Sequence, residues 1–154
     1  MFCIQGLDAS EFTWLSRLSD EELSVIGARR CVVDAQPGVP DRIEIRDLEI
    51  GENAILLNYE HQPAVMPYRS RQAIFIKEGA ACAANIIDTI PEAIRIRMIS
   101  LRAFNVAGEI IDADLSEGTD LQPLIERFFA NPDVSYLHAH YAKRGCYAAR
   151  IVRA

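Results

Sequence analysis

Apolar residues recur along this chain at two different periods, and the switches between them mark out its elements. Phe12, Leu15 and Leu18 stand three apart behind Asp8 and Glu11, a capping-box pair, so a short helix is expected to start near Ala9. A strand at Phe2 to Gln5 precedes it. Ser19 and Glu22 repeat the capping device, and Gly27 supplies a stop for a second short helix. The period then changes to two: Arg42, Ile43, Glu44, Ile45 and Arg46 alternate strictly, which predicts a half-buried strand. "NAILLNYEH" is apolar more continuously, as a central strand would be.

After a loop at His61 to Gln72, a strand is expected over Ala73 to Lys77. Pro91 suits a first helical turn, but the alternation of Ile94, Arg95, Ile96 and Arg97 soon favours a long strand. "NVAG" closes that strand into a hairpin with Glu109 to Leu115. Leu121, Leu124, Ile125, Phe128 and Phe129 return to the helical repeat, with Pro123 in the first turn and Asn131-Pro132 as terminator. The final segment, from Val134, reads as a hairpin with Lys143-Arg144-Gly145 at its tip. Strands joined by hairpins, two short N-terminal helices and one amphipathic helix before the last hairpin define an α+β domain with a mainly antiparallel sheet. No repeat or linker divides residues 1–154, so a single domain is expected.

Composition changes this picture little. At 154 residues the chain can bury a sizeable core, and an apolar content of 50% excludes disorder. The net charge of −6, without a basic block, gives nucleic acid no footprint, and the acidic start of the second helix argues against a DNA-binding helix-turn-helix. Cys3, Cys31, Cys82 and Cys146 are widely spaced without a CxxC and are read as reduced thiols. No apolar run reaches the length of a membrane span, and the N-terminus lacks signal-peptide character, so a cytoplasmic location is expected.

Two constellations could carry chemistry. In "MPYRSR", Pro63 and Pro67 stiffen a loop presenting Tyr68, Arg69 and Arg71, and arginine forks match carboxylate or phosphate oxygens. Arg42 and Arg102 could add to such an anion clamp; the competing reading pairs Arg69 and Arg71 with surface acids, and Arg102 with Asp112 or Asp114. The second is the HxH of His138 and His140, which a strand places on one face together with Tyr136. Such spacing suits two metal ligands but supplies no third, so no bound metal or cofactor is expected. Cys146 joins that face if Ala142 pairs with it across a three-residue loop; a two-residue turn puts Tyr147 opposite His140 instead. With Cys146 nearby, the histidines could activate a thiol nucleophile.

"DAQPGVPDRIEI", "GENAILLNYEH", "MPYRSRQAIFI", "ISLRAFNVAGEIIDADL" and "VSYLHAHYAKRGCYAARIVR" together resemble the bacterial domain-of-unknown-function family 1203. The resemblance implies a bacterial cytoplasmic protein without an assigned activity, and it transfers no catalytic residue. Three functional expectations follow. The first is a module binding a small anionic ligand through Tyr68, Arg69, Arg71, Arg42 and Arg102. The alternatives are an enzyme centred on His138, His140 and Cys146, metal-assisted or thiol-dependent, and a homodimer formed through an exposed sheet edge.

Overall fold

The computed structural model describes residues Met1–Ala154. Its strands are β1 (Phe2–Gln5), β2 (Arg29–Val32), β3 (Asn53–Gln62), β4 (Ser70–Lys77), β5 (Asn85–Ile87), β6 (Met98–Phe104), β7 (Ile110–Glu117), β8 (Tyr136–Tyr141) and β9 (Cys146–Arg153). The helices are α1 (Asp20–Val25), α2 (Glu92–Arg95) and α3 (Leu121–Phe129). Six strands form one antiparallel sheet in the order β5-β1-β9-β8-β6-β7, and β2-β3-β4 form a second antiparallel sheet. The chain is therefore α+β, as its periodicity implies.

Helix α3 explains the main core. Its apolar stripe buries Leu121, Leu124, Ile125 and Phe128 among Leu101, Leu137, Ala139 and Ile151 of the large sheet. Each such side chain contributes about 1.5–3 kcal/mol by leaving water. The other face of the large sheet meets the small sheet, where Tyr147 of β9 packs with Ile55, Ile74 and Ile76 of β3 and β4 under Phe12, Leu15 and Leu23. These two cores leave a polar face of β8 between the sheets.

Several local expectations change in the structure. The first helix is a pair of 3-10 turns, Ala9–Glu11 and Thr13–Arg17. The strict spacing of Phe12, Leu15 and Leu18 fits three residues per turn, and the Thr13 and Ser16 hydroxyls donate to the carbonyls of Ser10 and Thr13. Helix α1 keeps its capping box, with Ser19 accepting from the Glu22 amide and the Glu22 carboxylate accepting from the Ser19 amide.

The segment Arg42 to Arg46 is not a strand. Ile45 takes a φ of 52°, which breaks the extended ladder, and Ile43 enters the core beneath Phe12 while Ile45 enters the one beneath α3. The alternation records a loop that feeds both cores. Asp41 anchors it by accepting from the amides of Glu44 and Lys77, at 2.6 Å and 2.7 Å, and burial raises its pKa. Strand β6 begins only at Met98, because α2 occupies the start of the alternating stretch.

A saturated ionic network ties this loop down. Arg97 pairs with Asp47 at 2.7 Å, Arg46 with Glu44 and Glu52 at 2.7 Å each, and Lys77 with Glu44 at 2.9 Å. The hydrogen bond from Arg46 holds the Glu52 carboxyl down at about 2.

Candidate metal centre

Strand geometry assembles the site. On β8, period-two alternation sends Leu137, Ala139 and Tyr141 into the core beneath α3 and leaves Tyr136, His138 and His140 on the face toward the small sheet. Neighbouring strands complete that face: Arg102 of β6 lies opposite His138, Ser100 opposite His140, and Arg150 of β9 opposite His138 from the other side.

Two β-bulges supply what regular strands could not. On β9, Tyr147 pairs with His140 and Ala149 with Ala139, leaving Ala148 as an extra residue. Arg150 and Tyr147 thus both reach the histidine face although an even number of residues, Ala148 and Ala149, lies between them. On β3, Glu60 and His61 together face a single residue of β4, and the alternation breaks so that His61 and Gln62 are both buried. Gln62 Nε2 donates to the Tyr136 hydroxyl at 2.6 Å, fastening β3 to β8.

The result is three histidines from two sheets in one cluster. His61, His138 and His140 are 8%, 1% and 0% exposed, and one ring nitrogen from each lies within 4.8 Å of the others. The His61 ring stacks on Tyr147 and meets His138 and His140 edge-on, at centroid distances of 5.8 Å and 5.0 Å. Gly145 holds one orientation. With φ at 75° in the hairpin turn, it places its carbonyl 2.9 Å from His140 Nδ1. A carbonyl only accepts, so Nδ1 carries the proton and Nε2 keeps its lone pair.

That lone pair has no protein partner, nor do His61 Nδ1 and Nε2 or His138 Nδ1. Burial lowers the pKa of all three rings, with a further contribution from Arg102: His61 to about 4, His140 to about 3 and His138 to about 2. The imidazoles are neutral at ordinary pH. Leaving such nitrogens unsatisfied costs about 1–3 kcal/mol each, an outlay native interiors seldom carry. A divalent transition metal would take one nitrogen from each ring and so relieve part of that cost: three neutral imidazoles suit zinc, cobalt, nickel, copper or iron(II), and three protein ligands leave coordination positions for water or substrate.

Of the residues singled out by sequence, His138 and His140 share the cluster and Arg102 stands opposite His138, while the others are dispersed. Arg69 pairs with Glu60 at 2.9 Å, and Arg71 donates to Asn58 at 2.6 Å and lies 3.7 Å from Glu60, while Tyr68 is exposed. The loop cations are thus met by the protein's own groups. Arg42 is buried, donating to the carbonyls of Tyr147 and Pro40 and, at 3.2 Å, to Cys146 Sγ. Cys146 lies opposite Tyr141 and so faces away from the histidines. All four cysteines are free thiols. Asp112 and Asp114 sit opposite Ala103 and Leu101, on the face of β6 away from Arg102, and Asp114 pairs with Arg127 of α3. Arg102 makes no ion pair with them. The cluster member that sequence missed is His61, because no local spacing links it to His138.

A surface concavity of about 710 Å³ lies elsewhere, beside Asn105, Val106 and Asn131 to Ser135. Its arginine, Arg153, already donates to the carbonyls of Phe129, Asn131 and Val134.

No helix is long and apolar enough to cross a membrane. No curated protein and no solved structure matches the chain. The family model described as protein of unknown function (DUF1203) matches residues 38–153, a span that holds all three histidines, and the chain belongs to that family.

Proposed function

We propose that this protein is a metalloprotein in which His61, His138 and His140 bind one divalent transition metal. The observation that carries the reading is the set of four buried ring nitrogens without protein partners on three histidines contributed by different sheets. The coordination type is that of a catalytic rather than a structural centre. Three neutral nitrogens leave a position open, and a bound metal there supplies Lewis acidity and an activated water. The Gly145 carbonyl serves as the outer partner that fixes the His140 tautomer. The support for anion binding lies at this centre rather than at the "MPYRSR" loop, whose arginines are already occupied.

Titration of chelator-stripped protein with zinc or cobalt tests this. One equivalent should bind, and His140→Ala should weaken binding at least about a hundredfold, since loss even of an outer partner costs 10–100-fold. Absence of stoichiometric uptake, or equal uptake by the variant, overturns the reading.

A further inference from the structure

We propose that the centre takes a small organic carboxylate as its exogenous ligand, one oxygen on the metal and the other on the guanidinium of Arg102. This deepens the metal reading and rests on it.

The argument is one of charge. Three neutral imidazoles leave a divalent ion's full charge in place, and no carboxylate or thiolate belongs to the cluster. Arg102, directly across the strand pair from His138, adds another positive charge. It is half-buried, forms no hydrogen bond or ion pair with the protein, and sits on a different face of β6 from Asp112 and Asp114. Arg150 flanks His138 from β9, its guanidinium 3.9 Å above the centre of the Tyr136 ring, and it too has no acid partner.

Elsewhere Arg30, Arg46, Arg69, Arg95, Arg97 and Arg127 pair with carboxylates, Arg42 and Arg153 donate to carbonyls, and Arg17, Arg29 and Arg144, which lack an acid, are exposed to solvent, whereas Arg102 is half-buried with none of these. In a protein of net charge −6, two arginines without acids beside three histidines form a local positive site against the overall field. An anion supplied from outside completes it. The guanidinium fork fits a two-oxygen acceptor, and the walls favour an organic one. Phe104 and Tyr136 stack at 5.1 Å and both lie against His138, with Tyr147 across from them.

Cobalt(II) absorption is the direct test, because its visible bands change when a ligand oxygen enters the coordination sphere. Cobalt-loaded protein in perchlorate medium is titrated with acetate and, separately, with inorganic phosphate. Acetate should shift the bands saturably, and Arg102→Gln should weaken acetate at least tenfold. The same variant should bind cobalt in acetate-free medium as tightly as the parent or more tightly, since a repelling charge is gone. Those opposite signs separate a ligand-binding arginine from a merely structural one, and Arg102→Lys, which keeps the charge but not the fork, should fall between. An unchanged spectrum with acetate overturns the proposal, as does an equal acetate response by Arg102→Gln. A response to phosphate alone overturns the carboxylate assignment. Failure to take up cobalt at all overturns the underlying metal reading as well, and is distinguishable from these by the missing bands.

Discussion

Around Arg46 and Arg97 every charge meets its opposite, whereas around His138 the imidazoles and two arginines meet none. In the first region four carboxylate–cation contacts close at 2.7 to 2.9 Å, and Asp41 caps the same loop through amides. In the second, three buried rings and Arg102 present donors and lone pairs that no protein group uses. A saturated cluster can only hold the fold together. An unsaturated one lowers the stability of the isolated chain and leaves groups free for an outside partner.

Substitutions should therefore act with opposite signs in the two regions. The largest expected effect is Asp47→Ala, which strands Arg97 in a largely buried position; unfolding in urea should show a loss of about 3 kcal/mol. Next is His61→Phe, which keeps a ring against Tyr147 while removing two unpartnered nitrogens. In chelator its stability should equal or exceed the parent's by about 1 kcal/mol, while calorimetric titration shows metal affinity falling at least about a hundredfold. A large loss of stability in the metal-free variant would erase the contrast.

A smaller effect concerns acid. The Glu52 carboxyl titrates at about 2 in the folded protein against an ordinary 4.5, so its contribution is complete above pH 4.5 and disappears as pH falls toward 2. Partial exposure screens it to about 1 kcal/mol, and Glu52→Gln should remove that part of the slope between pH 5 and pH 2.5 in urea titrations. The smallest effect belongs to the loop. Arg69→Ala should cost less than about 1 kcal/mol by thermal unfolding and leave metal affinity unchanged, because Arg69 is half exposed and Glu60 keeps Arg71 beside it at 3.7 Å.

Legibility in the sequence followed the range of the interactions. Helix α3, the α1 capping box and the last two hairpins are written locally, through repeats of three to four residues, a Ser–Glu pair and Gly108 and Gly145 at turns. The HxH pair and its face were equally local. What was not legible depends on long-range pairing. The bulge at Ala148 gives Tyr147 and Arg150 a common face, so neither regular hairpin register describes β9. His61 joins the cluster only because β3 of one sheet ends against β8 of the other. Arg102 looked like half of an ion pair with Asp112 or Asp114 until pairing put the aspartates on the opposite face. The alternation at Arg42 to Arg46 misled for a related reason: two different cores imitate one sheet face.

The placement of β9 between β1 and β8 has a consequence for synthesis. Phe2 pairs with Arg153, so the large sheet cannot close while β9 is still within the ribosome, and α3 has only a partial surface to cover until then. Until β9 emerges, β1 and β8 each keep an unpaired edge, a window in which chaperone binding competes with aggregation. His138 and His140 acquire their fixed geometry only when Tyr147 and the Gly145 carbonyl arrive. The three-histidine cluster is consequently assembled only once β9 has paired with β8, so on the proposed metal reading uptake follows closure of the large sheet.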